Sequence, residues 1–259
     1  MAITQAALTG AGSTTNAASY DTASITPTAN RLVLAAVSGS AGTPTLSGNG
    51  LTWALITSYL GTNHRIYLFR AMGASPSAGA VTISWGADTQ TGCRWSIAEF
   101  SGVDTSGTNG SGAIVQSATG NGTNNTTLTV TLAAFGSANN GTYGTVSILL
   151  EEAITPGTGF TEIHDVGHGA PPRELETEWR ADNDTSVDFS WTNSSVEFAG
   201  IAVEIKAGGT AYTSTVAGSQ PAMTGTTSRI YAAVRTTTGS QPAMTGAASR
   251  VLAAIRTLT

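Results

Sequence analysis

Charged side chains are scarce in this sequence. They make up 10% of the 259 residues, against roughly 25% in ordinary soluble domains. Lys206 is the single lysine, and the formal net charge is −5. Proteins bind nucleic acids largely by neutralising phosphates with Lys and Arg, so this composition excludes a nucleic-acid partner. We expect a neutral surface rich in hydroxyl and amide groups.

Cysteine and long apolar runs are also rare. Cys93 is the one cysteine and cannot form an intrachain disulfide, and its place in an apolar run beside Trp95 predicts an inert buried thiol. No run approaches the roughly 18 apolar residues of a membrane span, so we expect no membrane partner. The N-terminus has neither the basic start nor the apolar core of a secretory signal. We therefore expect synthesis and folding in a cytoplasm, without export by a signal peptide.

Two short polar motifs could bind a metal. His164 and His168 have the i, i+4 spacing of helical ligands, but Gly167, Gly169 and the prolines after them exclude a regular helix. We favour an exposed polar loop here over a zinc site. The segment 182–184 begins like a calcium loop but has no glycine or distal glutamate, which favours a turn. We expect no metal and no cofactor.

Residues suited to catalysis are few. No serine stands in a Gly-x-Ser-x-Gly elbow. Carboxylates occur at 151–152 and at 174–178, but adjacent residues of a strand point to opposite faces, so only folding could bring a catalytic pair together. We expect no enzymatic activity, and a glycan hydrolase stays the third of three functional alternatives.

Short apolar runs separated by Gly, Asn, Ser and Pro predict an all-β fold, since helical periodicity is almost absent. The run 81–85 alternates between apolar and polar residues, whereas 31–37 is apolar throughout and indicates a strand covered on both faces. Candidate strands are 31–37, 51–58, 65–72, 80–85, 93–103, 113–118, 126–132, 143–151, 175–180, 187–191 and 198–206. These strands predict stacked antiparallel sheets.

An internal echo runs through this β region. Val81-Thr82-Ile83-Ser84-Trp85 matches 187–191, and similar matches recur in order at an offset of 105 to 110 residues. We predict a jelly-roll-like antiparallel β-sandwich over 1–207, built from pseudo-repeats at about 30–103 and 140–207. It could be one sandwich or two small ones in contact. A single shared core is favoured, because half a sandwich leaves an apolar face exposed.

Two glutamates stand inside apolar strands of the echo. Glu99 and Glu204 each need a partner, because an unpaired buried carboxylate costs several kcal/mol. The echoed arginines predict two equivalent structural ion pairs, Arg70 with Glu99 and Arg180 with Glu204. The alternative is that these strands lie at an edge and both glutamates face water.

The C-terminal segment, 208–259, contains a tandem repeat. Ser219-Gln220-Pro221-Ala222-Met223-Thr224-Gly225 recurs at 240–246 with a period of 21 residues, and each copy continues into a strand-like run. A unit this short cannot close a core and must stack on other surfaces, and its open strand edges invite pairing. The predicted assembly residues are Met223, Arg229, Ile230, Tyr231, Val234, Met244, Arg250, Val251, Leu252 and Ile255.

Aromatic side chains could stack against a sugar. Trp85, Trp95 and Trp191 lie in apolar or alternating runs and are expected in the core. Trp53 and Tyr59, near a predicted turn, are the better candidates for contact with a glycan.

The C-terminal pattern 217–225, followed by Ser228-Arg229 and an Ala-rich strand, resembles short tandem repeats of structural proteins of tailed bacteriophages and prophages. Their consensus is similar to Gly-Ser-Phe-Ala-Leu-Thr-Gly, with Gln-Pro here in place of the aromatic residue and Met in place of Leu. The segments 30–37, 50–53 and 98–103 also resemble a domain found in phage-like proteins. This family has no catalytic residues to transfer.

The resemblance implies a role on the virion surface, as head decoration, head fibre or tail fibre. We therefore expect a non-enzymatic virion structural protein that contacts capsid or tail subunits and copies of itself through β edges and the C-terminal repeats. The second alternative is a carbohydrate-binding adhesin or receptor-binding module for a host surface glycan.

Overall fold

The computed structural model of the chain describes residues 2–195 and 197–209. The described part consists of sixteen strands and one short 3-10 turn, Ser111–Ala113, and every strand pairing in it is antiparallel. The predicted all-β fold is confirmed. The strands are β1 Thr4–Ser13, β2 Ser19–Asp21, β3 Leu32–Gly39, β4 Thr45–Gly48, β5 Ala54–Leu60, β6 Arg65–Ala71, β7 Val81–Ser84, β8 Cys93–Ser101, β9 Ile114–Gly122, β10 Asn125–Thr131, β11 Gly141–Ile148, β12 Thr155–Pro156, β13 Thr161–Gly169, β14 Pro172–Arg180, β15 Ser186–Ser195 and β16 Phe198–Ile205.

The strands form two sandwiches of the same topology. The first has a five-stranded sheet, β1-β8-β3-β6-β5, and a three-stranded sheet, β2-β7-β4. The second has the sheets β9-β16-β11-β14-β13 and β10-β15-β12. Adding eight to the number of each strand in the first sandwich gives the equivalent strand of the second. The structure thus places two further strands ahead of each region of the sequence echo, while the jelly-roll connection pattern stays a prediction.

Three apolar clusters hold the strands together. A central cluster joins the two large sheets and includes Leu34, Leu68, Phe100, Tyr143 and Ile201. Each sandwich also has an outer cluster of its own, between its large and its small sheet. The two halves therefore share one core and keep one core each, within a compact unit that spans residues 1–208.

The two large sheets stack in reversed strand order. Strand β1 contacts β13, β5 contacts β9, β8 contacts β14 and β6 contacts β16. In terms of position within each repeat, the first strand of one half meets the fifth of the other, and the sixth meets the eighth. Such reciprocal pairing is the mark of an isologous, two-fold interface. The described chain is built like a dimer whose subunits are joined covalently.

We expect Phe100→Ala to lower the free energy of unfolding by about 3–5 kcal/mol, because the ring is fully buried and its loss leaves a cavity. Phe100 contacts the rings of Tyr143 and Trp179 in the other half. Hydrogen exchange should therefore accelerate in β3 and in β11 alike. The matched control is Phe189→Ala in the outer cluster of the second sandwich, which should leave β3 protected. Faster exchange confined to the first sandwich in Phe100→Ala would contradict a shared core.

Candidate functional site

Glu99 does not pair with Arg70, so that prediction is wrong. Its carboxylate pairs with Arg31, with Nη1 at 2.7 Å from Oε1, and accepts hydrogen bonds from the backbone N–H and the hydroxyl of Thr28. The glutamate is 4% exposed, so the alternative that it faces water is wrong as well. Glu99 fastens the segment that leads into β3.

The strand register explains why Arg70 cannot reach Glu99. Arg70 lies opposite Leu34, and Leu34 lies opposite Ala98. Glu99 is the next residue of β8, and adjacent strand residues point to opposite faces of the sheet. Arg70 is therefore on the face of the central cluster, and Glu99 is on the outer face.

Glu204 and Arg180 lie on one face but are not paired, so the second predicted ion pair is also wrong. Both are in register with Thr142, which stands on the strand between them. Glu204 is 1% exposed and accepts hydrogen bonds from Asn140 Nδ2 at 2.5 Å and Gln116 Nε2 at 2.6 Å. Arg180 forms ion pairs with the nearby Asp182 and Asp184.

The same register reveals a difference between the repeats. Val33 pairs with Ala71 and Glu99, as Thr142 pairs with Arg180 and Glu204. If Glu99 and Glu204 occupy equivalent positions in the two halves, then Tyr67 is equivalent to Glu176, and Phe69 is equivalent to Glu178. Where the first sandwich fills its outer cluster with aromatic rings, the second places carboxyl groups.

We call Asp165, Glu174, Glu176 and Glu178 the acid cluster. The three glutamates alternate along β14 and share a face, and Asp165 lies opposite Glu176 on β13. The segment 152–157 covers the cluster through backbone N–H groups: Glu152 donates to Glu174, Ile154 to Asp165 and Gly157 to Glu178, at 2.8–3.2 Å. Glu176 is fully buried, and neither of its carboxyl oxygens has a hydrogen-bond partner within the described residues.

Burial favours the protonated form of the three glutamates of the acid cluster. It raises the pKa of Glu174 and of Glu178 to about 8, and it raises the pKa of Glu176 well above its usual range, with neighbouring carboxylates adding to the effect. At neutral pH these groups are therefore largely neutral, since an ionised carboxylate in so dry a place is strongly disfavoured. These glutamates are largely neutral groups of the interior and are not placed to act as charged ligands. Among residues 2–195 and 197–209, no group of His, Cys, Asp and Glu is arranged to hold a metal ion.

We expect Glu176→Gln to stabilise the protein at pH 8 and to have little effect near pH 4.5. A carboxyl whose folded pKa is raised binds its proton more tightly in the folded state, so its stabilising effect is complete below the unfolded pKa and is lost as pH rises towards the folded pKa. Between these two pKa values the free energy of unfolding falls by up to about 1.4 kcal/mol per pH unit for each such group. Glutamine does not titrate, so the variant should not show the part of this fall that Glu176 causes. Thermal melting at several pH values measures the effect, with the exposed Glu151→Gln as control. An equal change in melting temperature at both pH values would rule out this account.

All three histidines of the chain lie between the large sheets. His164 Nδ1 is 2.9 Å from Ser96 Oγ, and His168 Nδ1 is 2.9 Å from Arg94 Nη2, while His64 is fully buried. The segment around His164 and His168 is strand β13 and not the exposed loop that we predicted. Together with Arg94 and Arg173 these residues form what we call the histidine layer.

The histidine layer fastens the two halves to each other. Arg94 of the first half donates to the Pro171 carbonyl, and Arg173 of the second donates to the carbonyls of Gly39 and Asn63. Burial lowers the pKa of all three histidines, that of His64 to about 3, and the positive arginines lower the pKa of His64 and His168 further. Neutral rings next to two guanidinium groups avoid further charge repulsion in the interior.

The two predicted glycan contacts lie in different surroundings. Trp53 is half-buried and packs against the outer cluster of the first sandwich. Tyr59 lines an open cleft of about 510 Å³ between the hairpin β5–β6 and the end of β9. Tyr59 therefore lies at a concave surface. The predicted assembly residues, Met223 to Ile255, lie outside the described residues.

Comparison of the chain with protein families, with curated proteins and with solved structures finds no match. Within the described residues, no helix has the length and apolar character needed to cross a membrane.

Proposed function

We propose that this chain is a non-enzymatic structural protein on the exterior of a phage-like virion, as capsid decoration, head fibre or tail fibre. Its partners are capsid or tail subunits and further copies of itself. The resemblance of the 21-residue repeats to those of phage structural proteins is the reason for naming a virion.

The division of the chain carries the proposal. Residues 1–208 form a compact unit with a central and two outer apolar clusters. The two 21-residue copies follow this unit in sequence, and each is too short to close a core. A folded body followed by short sequence repeats suits a protein whose task is attachment.

The make-up of the described body supports the same role. Four of its buried ionisable groups hold segments and halves together: Glu99 and Glu204 bind segments next to central strands, and Arg94 and Arg173 join the sandwiches. The scarcity of charge reduces electrostatic repulsion between copies. Many identical copies can then pack on a particle through small repeated contacts.

We expect deletion of residues 209–259 to abolish incorporation into particles and to leave a folded, soluble body, because the deleted segment lies beyond the compact unit. Mass spectrometry of purified particles measures incorporation, and thermal melting of the truncated chain checks folding. A chain in which 209–259 is replaced by a Gly/Ser segment of equal length controls for size. Normal occupancy of particles by either variant would refute the assembly role of the repeats.

A further inference from the structure

The two stacked five-stranded sheets are related by an approximate two-fold axis. The stack has two outer edges, here called its flanks, and they differ. On one flank β1 lies on β13, and the ring of His164 sits directly on Gly10, where an added Cβ would come within 2.5 Å of the ring. That flank is closed. On the other flank β5 lies on β9, and there the two halves leave the cleft of about 510 Å³.

The open cleft combines apolar and polar groups. Tyr59 and Leu60 supply an aromatic ring and an aliphatic side chain, and Leu60 is 55% exposed, more than any other large apolar residue of the described chain. Thr62, Asn63 and Thr123 add two hydroxyls and an amide, and Glu197 adds a carboxylate. Hydroxyl, amide and carboxylate groups beside an apolar surface are the chemistry that binds a pyranose, which has one apolar face and a rim of hydroxyls.

The cleft is fixed before any ligand arrives. The Glu197 carboxylate of the second sandwich accepts hydrogen bonds from the backbone N–H groups of Thr62 and Asn63 in the first, at 3.1 and 3.3 Å. Asn121 Nδ2 donates to the Tyr59 hydroxyl across the same gap, at 2.9 Å. Both contacts join the two halves, so the side chains of Glu197 and Tyr59 are held in place. A preformed site loses less conformational entropy on binding.

We propose that this cleft binds a neutral saccharide, with the apolar face of one sugar ring on the exposed Leu60 side chain and its hydroxyls on Asn63, Thr123 and Glu197. The charge of the site sets the class of sugar. Glu197 is the only ionisable acid or base among the lining residues apart from the tyrosine hydroxyl. A sialylated or otherwise acidic glycan would place a second negative charge beside it, and repulsion would disfavour that complex. This saccharide site goes beyond the structural role and does not depend on it.

The full chain is tested on a printed array of neutral and sialylated oligosaccharides, and the bound glycans are then titrated in solution by saturation-transfer NMR. We expect neutral glycans to bind and sialylated analogues to bind weakly or not at all. Leu60→Glu removes the apolar contact and adds charge beside Glu197, so it should weaken binding by about tenfold or more.

The control for Leu60→Glu is Val115→Glu, at a residue that is 50% exposed and lines a separate surface cleft. It should leave saccharide binding unchanged, and melting curves of both variants verify folding. The proposal is overturned if no neutral glycan binds, if sialylated glycans bind better, if Leu60→Glu binds like the parent chain, or if Val115→Glu loses binding equally. Incorporation of Leu60→Glu into particles is measured separately, so that loss of the saccharide site and loss of assembly are distinguished.

Discussion

The described structure depends on the apolar contact between the two five-stranded sheets. Each of these sheets has a central strand that is buried on both faces, as β3 and β11 show, where all eight residues are buried. The three-stranded sheet of its own half covers only one face. The other face must be covered by the second half, and burial of apolar area at about 25 cal/mol per Å² makes that contact the main force between the halves. The polar contacts of the histidine layer and of the open cleft fix the register of this stack.

Strands with a strong apolar pattern could be predicted from sequence. Strands without such a pattern, which form only because a neighbouring strand offers an edge to pair with, could not. The runs that became β3, β6, β7, β8 and β16 are rich in Val, Ile, Leu and aromatic residues, which suit a buried pleated surface. By contrast, β1 and β13 contain Gly, Ala, Thr and His with little periodicity. They are strands because β8 and β14 offer free edges to pair with, and because the small residues of β1 allow β13 to approach closely. Nothing local in the sequence shows that contact.

The two predicted ion pairs failed at the level of register. The sequence echo aligns the Arg-Ala pair at 70–71 with that at 180–181, but pairing with the central strands aligns Ala71 with Arg180. A shift by one residue moves a side chain to the other face of the sheet, so Arg70 was assigned to the wrong side. The alternation Glu174, Glu176, Glu178 was a usable signal for the acid cluster, since alternate residues of a strand share one face. The burial of that face was not visible, because the covering segment 152–157 has no strand pattern of its own beyond two residues.

Covalent linkage of the halves allows an asymmetry that a true dimer could not have. In a two-fold homodimer of one sandwich, both flanks of the interface would carry the same residues, and a cleft on one side would be repeated on the other. Here the duplicated halves have diverged at equivalent positions, as Tyr67 against Glu176 shows. One flank is closed by His164 on Gly10, while the other leaves a cleft that hydrogen bonds of Glu197 and Asn121 bridge. The symmetric sheets supply stability, and the divergent flanks are free to differ in what they bind.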